Sequence, residues 1–171
     1  MKAFLMATSV GMFTLAGIWI ADRYAYRCVI LENMLRFCRS VRMQSVMFAR
    51  PLVQQCTQAT DMDPAIQRML HGYVQYLEAG ESAEEAWNMA MHEHIACHSR
   101  RYGMTTEDLA VLAQVGGAMH GFLAAQQEGL NACRTELERL LAQAQGYRAR
   151  YATLYAKLGL LAGIAAAILI W

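Results

Sequence analysis

Proline is nearly missing from this chain: there are 2 in 171 residues, beside 12 glycines. That scarcity excludes collagen-like repeats, loop-rich small scaffolds and compositional disorder, and it makes long helices the default expectation. Charge is sparse as well, at 17% of residues against 56% hydrophobic, an imbalance that an ordinary water-soluble domain seldom shows. Neither sign of charge dominates. With 15 Lys and Arg against 14 Asp and Glu the net charge is +1, so the field that a nucleic-acid binder uses to collect phosphates is lacking, and no nucleic acid is expected as a partner. The five cysteines, Cys28, Cys38, Cys56, Cys97 and Cys133, are odd in number and contain no C-x-x-C pair, which fits neither a disulfide framework nor a cysteine-rich zinc site. A reducing compartment for the middle of the chain follows. Catalytic motifs are absent too. Gly116-Gly117 and the Gly159 to Gly163 segment lack the Lys and Ser or Thr of a phosphate loop, there is no G-x-S-x-G, and no carboxylate pair stands out. The sequence therefore predicts no catalytic residue, no cofactor and no enzyme.

What the chain does have is two long apolar ends. Residues 3–21 form an uncharged run of 19 residues, roughly 28 Å as a helix and close to the ~30 Å hydrocarbon core of a bilayer. A cleaved signal peptide is the competing reading. Lys2 makes a thin basic start for one, the run is longer than the usual ~7–15 residues, and Trp19-Ile20 stand where small cleavage-site residues belong. A retained anchor is the better fit. Residues 158–171 are a second uncharged run, of 14 residues, which reaches a spanning length only if extended backward through Tyr155, Ala156 and a snorkelling Lys157. Its alternative is an apolar tail docked on its own domain, but a helix apolar all round is either fully buried or in lipid. Small residues recur every four positions, Ala3, Ala7 and Gly11 in the first run and Gly159, Gly163 and Ala167 in the second, a spacing that permits close helix packing in lipid. Arg23, Arg27, Arg36 and Arg39 follow the first run and Arg148, Arg150 and Lys157 precede the second, whereas only Lys2 lies outside. By the positive-inside rule the middle is expected to be cytoplasmic.

The middle reads as helical throughout. With Arg36 at zero and 100° per residue, Ile30, Met34, Phe37, Cys38, Val41 and Phe48 fall between about 100° and 200°, which makes a core stripe. Arg36, Arg39, Arg42 and Arg50 fall between about 240° and 360°, a basic face offered as a partner-binding surface. Pro51 should end this helix near Arg50 and open a short one to about Ala59. Asp63-Pro64 caps a helix that Gly80 closes, Ser82-Ala-Glu-Glu85 is a capping box for a helix to about His98, and Thr105 or Thr106 caps the next, with Gly116, Gly117 and Gly121 as weak points. From Phe122 a long helix can run into the terminal apolar segment. The expected fold class is all-α, an antiparallel helical bundle of about six helices with N- and C-terminal transmembrane or membrane-associated helices. Residues 1–21 would be the N-terminal transmembrane helix, 22–156 the cytoplasmic bundle and 157–171 the C-terminal membrane helix. Its charge is uneven: residues 22–50 carry six Arg against Asp22 and Glu32, while 61–93 carry Arg68 against seven carboxylates.

The dense cluster of metal-capable side chains is His92-Glu-His94-Ile-Ala-Cys97-His98. On one continuous helix His94, Cys97 and His98 would converge while His92 points elsewhere, with a fourth ligand needed from His71 or His120. Ala96 breaks the H-E-x-x-H pattern. The cluster supports an alternative reading as a membrane-anchored metal-binding or sensor protein, but polar residues near a helix C-terminus account for it without metal. The 12 Met suit pliable core filling.

Several segments together resemble the stage III sporulation protein AB family of endospore-forming bacteria. They are the charge-free N-terminal run followed by basic residues, Pro51-Leu52, Glu85-Ala86-Trp87-Asn88-Met89-Ala90, Leu112 to Gly116 followed by Gln126-Gln127, and the ending Lys157-Leu-Gly159-Leu-Leu-Ala-Gly163. The resemblance implies a membrane component of the channel joining mother cell and forespore, with a cytoplasmic helical bundle similar to type II secretion and type IV pilus platform proteins. It implies as partners a cytoplasmic secretion-type ATPase, other sporulation channel membrane proteins and the lipid bilayer, leaves self-association open, and brings no catalytic residues with it.

Overall fold

The computed structural model describes residues 2–47, 52–57, 61–119 and 123–170. Among these every regular element is helical: α1 (Lys2–Met47), α2 (Leu52–Thr57), α3 (Pro64–Glu78), α4 (Ala83–His94), α5 (Ser99–Tyr102), α6 (Thr106–Ala118), α7 (Leu123–Tyr147) and α8 (Thr153–Ile170). A 3-10 turn covers Ala96–His98 and a π-helical turn covers Arg148–Ala152. The helices group into two compact units, Arg27–Ala142 and Met1–Tyr26 together with Gln143–Trp171. Among the described residues no helix is long and apolar enough to cross a membrane.

Helix starts follow their capping chemistry. The Asp63 carboxylate accepts from the Ala65 amide with Pro64 at the first helical position, and Ser82 Oγ accepts from the Glu85 amide, each satisfying an otherwise orphaned donor. Of Thr105 and Thr106 it is Thr105 that caps α6, in a reciprocal box with Asp108. Gly80 adopts φ 96° after α3 and Gly103 φ 65° after α5, left-handed positions that glycine fills without a Cβ clash.

One helix ends earlier than expected. α4 stops at His94 instead of running to about His98: its C-cap Ile95 sits at φ −116°, ψ −55°, well off the ideal helical φ, with its side chain fully inside the core, and a 3-10 turn follows. That burial is worth about 1.5–3 kcal/mol. The long C-terminal helix runs from Leu123 to Ile170 as expected, with a π-helical turn at Arg148–Ala152 inside it. The expected break near Arg50 and Pro51 lies outside the described residues.

Within the Arg27–Ala142 unit the core is built on the stripe of α1: Ile30, Met34, Phe37, Cys38 and Val41 are all buried. Phe37 stacks on Trp87 at a centroid distance of 6.3 Å, and Tyr73 meets the same indole edge-on at 5.4 Å, so one side chain joins α1, α3 and α4. Trp87 also reaches α6, donating from Nε1 to the Leu112 carbonyl at 2.9 Å. Its ring then lies on Gly116, where an added Cβ would come within 2.2 Å of Trp87 Cδ1. The Ala-Trp and Leu-x-x-x-Gly segments thus meet in space, and Gly116 is a packing requirement instead of a weak point.

Two outcomes follow. Gly116→Ala gains about 1 kcal/mol of helix propensity but overpacks a fully buried ring at the upper end of about 1–3 kcal/mol, so a thermal melt in mild detergent should show net destabilisation. Gly117→Ala, whose Cβ meets nothing within 4 Å, should be neutral or stabilising in the same melt. The second outcome concerns pH. Burial pushes the Cys38 thiol up from 9.0 to about 12, with nearby Cys133 adding to it, and burial does the same to Cys56. The unfolded chain therefore loses these protons first, and stability should fall as pH rises through 9 toward 12. Melting temperatures between pH 8 and 11 should decline less steeply for a Cys38→Ala, Cys56→Ala variant.

Candidate functional site

The strongest polar feature of the Arg27–Ala142 unit is buried. Arg27 donates from Nε to Asp108 Oδ2 and from Nη2 to Oδ1, both at 2.8 Å, with side chains 6% and 0% exposed. Asp108 Oδ2 also accepts from the Thr105 amide at 2.8 Å, while the Asp108 amide donates to Thr105 Oγ1 at 3.2 Å. One carboxylate thus closes the first turn of α6 and clamps that turn to α1. Bidentate geometry is the arrangement in which a buried pair recovers most of its desolvation cost. Sequence reasoning missed both residues, although signals existed: Thr105 to Asp108 is a capping-box spacing, and on the wheel that sets Arg36 at zero, Arg27 falls at about 180°, inside the apolar stripe. A second buried polar group, Asn33, donates to the Val29 carbonyl at 2.8 Å and accepts from the Asp63 amide at 3.1 Å, tying α1 to the start of α3.

The basic face of α1 divides. Arg36 pairs with Glu32 one turn back at 3.5 Å in an exposed contact. Arg39 pairs with Glu138 of α7 at 3.0 Å, and Glu138 also takes Arg134 at 2.9 Å, which holds its carboxyl below the usual range. Arg42 is exposed, and Arg50 lies outside the described residues. Neither Glu32 nor Glu138, the partners of Arg36 and Arg39, belongs to the acidic 61–93 segment. There, Asp63 and Glu85 serve helix starts and Glu93 accepts from the Tyr76 hydroxyl at 2.7 Å. A further pairing joins Arg139 to Glu136 at 2.6 Å and to Glu107.

The His92 to His98 cluster does not assemble as a helical face, because α4 ends inside it. His94 packs toward Gly72, and His98 lies against the Tyr102 ring at 5.9 Å. Cys97 Sγ sits 3.7 Å from Nδ1 of His92, the histidine expected to point away. Among the described residues no group of three or more His, Cys, Asp or Glu is placed to hold a metal ion. A cavity of about 400 Å³ lies beside α2, α3 and α4, lined by Cys56, Gln67, Arg68, His71, Gly72 and His94 among others. Arg68 and Gln67 are turned to backbone carbonyls of Pro64 and Met62.

The unit formed by the chain ends is different in kind. The first part of α1 runs antiparallel to α8: Gly17 lies against the Tyr155 carbonyl and Gly159, so closely that a Cβ would approach Gly159 Cα to 3.2 Å. Tyr24 stacks on Tyr151 at 6.2 Å and on Tyr155 at 6.1 Å. Of the small residues singled out for helix packing, Gly159 is therefore in a close contact, but its partner is Gly17. Gly11 faces open space, and the side chains of Ala7, Gly163 and Ala167 lie outside what is described. Large apolar side chains stand in solvent along the pair, including Met12 at 77%, Leu15 at 68%, Leu161 at 60% and Ile168 at 71% exposure.

Fold and geometry define an all-helical bundle protein whose described residues bring no catalytic constellation together. Across residues 2–171 the chain matches the model of the stage III sporulation protein AB family, Spore_III_AB, and it belongs to that family. This is a sporulation family and not a known enzyme family. A solved structure titled "Stage III sporulation protein AB (SpoIIIAB)" is similar in fold, with a TM-score of 0.65 at 17% identity over 73% of this chain and 98% of that one. No curated protein matches the chain.

The buried pair gives a direct test. Asp108→Asn keeps the capping acceptor but leaves the Arg27 charge without a counter-ion, which should cost about 3–5 kcal/mol and lower the melting temperature by many degrees. Adding Arg27→Met removes the stranded charge and should restore most of the loss. If the double variant melts no higher than Asp108→Asn, the charge pairing is not what holds α6 to α1.

Proposed function

We propose that the chain is a non-enzymatic platform component of the sporulation channel between mother cell and forespore, seated in the mother-cell membrane around the forespore by its terminal helices. In this reading the bundle faces the cytoplasm, resembles the type II secretion platform proteins, and docks a cytoplasmic secretion-type ATPase beside other channel membrane proteins. The observation that carries it is the contiguous apolar surface of the paired chain ends. Single exposed apolar residues are ordinary, but Met12, Leu15, Ile18 and Trp19 on one helix with Leu158, Leu161, Ile164 and Ile168 on its partner, all exposed, form a surface that water does not tolerate and lipid does. The uncharged run over residues 3–21 and the basic residues inside both runs support this orientation. The motor would meet the α1 face through Arg42 and Arg36, whose pair with Glu32 is an exposed contact within the same helix, whereas Arg39 is tied to Glu138 of α7. The metal-sensor alternative is not advanced, since His94, Cys97 and His98 point to different neighbours.

Two measurements test the proposal. Cys97 is exposed whereas Cys56 is buried, so Cys97 is the site at which topology can be read. An impermeant maleimide should label it in mother-cell membranes only after permeabilisation, and labelling of intact cells would reverse the orientation. In a pull-down of the detergent-solubilised chain from sporulating cells, a secretion-type ATPase should co-purify. Reversing Arg36 and Arg42 to Glu should reduce its capture severalfold and weaken the salt dependence of what remains, with the fold intact, because exposed charges steer association more than they stabilise. Unchanged capture would remove this face as the docking surface.

A further inference from the structure

We infer that the unit formed by the chain ends carries a recognition belt for anionic phospholipid headgroups, centred on Arg23, Arg148 and Arg150. The inference rests on the membrane seating proposed above and adds to it a lipid class and a set of residues. Along the antiparallel pair the chemistry changes in layers. On one side of the Gly17–Gly159 contact the exposed residues are apolar, among them Met12, Leu15, Leu161 and Ile168. On the other side four tyrosines gather: Tyr24 stacks with Tyr151 and Tyr155, and Tyr147 stacks with Tyr151 at 5.8 Å. Aromatic side chains with a polar tip collect where hydrocarbon meets headgroups.

The basic groups flank these tyrosines in sequence. The Arg23 guanidinium lies 5.6 Å from the Trp19 ring centroid, and its Nε is buried without a hydrogen-bond partner among the described residues. Tyr24, next in sequence, contacts Tyr151, which follows Arg150 directly. Arg148 and Arg150 belong to the π-helical turn and are exposed, as is Lys157 beyond it. Such turns occur mostly as single interruptions of α-helices and often at functional positions. Residues 1–26 and 143–171 contain five basic side chains, Lys2, Arg23, Arg148, Arg150 and Lys157, against Asp22 as the sole carboxylate. Lys2 stands at the far end of α1, and each of the other four lies within two residues of one of the tyrosines in sequence. Guanidinium groups bind phosphate oxygens in a forked geometry, and basic residues next to an apolar anchor favour anionic over zwitterionic lipid.

The test uses the full chain, purified in mild detergent and stripped of lipid, titrated with phosphatidylglycerol or phosphatidylcholine and read by native mass spectrometry as lipid retained. Phosphatidylglycerol should be retained on the order of tenfold more tightly. Arg148→Gln with Arg150→Gln should bring the two lipids to near equality. Arg148→Lys with Arg150→Lys should keep most of the preference, and Arg100→Gln with Arg101→Gln on α5 should leave it unchanged. Millimolar glycerol phosphate should not compete, which separates a lipid headgroup from free phosphate. Circular dichroism melts confirm that each variant is folded. Equal retention of the two lipids by the native chain overturns the inference, as does a preference that survives Arg148→Gln with Arg150→Gln or that is lost equally in the α5 variant. So does loss of a protein partner in place of lipid preference on neutralising the belt, which would make the belt a docking face for an acidic protein. Alkaline carbonate extraction distinguishes the two levels of failure: release of the chain from membranes defeats the seating itself, whereas a chain that stays but shows no lipid preference defeats only the belt.

Discussion

Two opposite charges held almost entirely out of water, Arg27 and Asp108, set the terms on which the bundle assembles. Desolvating each ion costs several kcal/mol, and their attraction returns that only if both hydrogen bonds form in good geometry. Such a pair penalises every arrangement in which α6 slides or turns on α1, since a small shift strands both charges. The position of α6 in turn decides where the Leu112 carbonyl and Gly116 stand, and these receive Trp87 from α4. Trp87 carries Phe37 and Tyr73 with it. A polar contact that adds little net stability thereby specifies the register in which the apolar core is buried.

How much of this could be read from sequence depends on the range of the interaction. Helix starts at Asp63, Ser82 and Thr105 were legible because capping is chemistry within three or four residues. The α1 core stripe was legible because period alone determines it. The Arg27–Asp108 pair spans 81 positions, and nothing local selects Asp108 over any other carboxylate as the partner of an arginine that already interrupts an apolar face. The histidine cluster failed for the same reason. Its geometry assumed a continuous helix, and the demand that Ile95 enter the core, which is a tertiary demand, ended α4 first. Gly116 looked like a defect in isolation because its reason is a ring donated from another helix.

The charged surface carries a similar lesson about α1. Its arginines share one helical face, yet they have different occupations. Arg39 is drawn into a three-membered contact with Glu138 and Arg134 of α7, and Arg36 is paired within its own helix. Neither arginine pairs with a carboxylate of residues 61–93, where several of those groups cap helices or accept from neighbours. Uneven charge along a sequence is thus a weak guide to pairing, and a stripe read from a helical wheel has to be divided by what stands opposite each member.

The two units also cohere by different physics. In the Arg27–Ala142 unit, burial of Trp87, Tyr73, Phe37 and the aliphatic stripe against water supplies the driving force, and glycine serves to admit a large ring. In the unit of chain ends large apolar residues among those described, such as Met12, Leu15, Leu161 and Ile168, are exposed. Close backbone approach, which Gly17 and Gly159 permit, and the stacking of Tyr24 with Tyr151 and Tyr155 hold α1 to α8. That inversion, with small residues inside and large apolar ones outside, is how helices associate where the surroundings are as apolar as the side chains and dispersion between backbones has to replace the hydrophobic effect. Lipid around this unit, as proposed, would match both what the helix pair puts between its helices and what it leaves exposed.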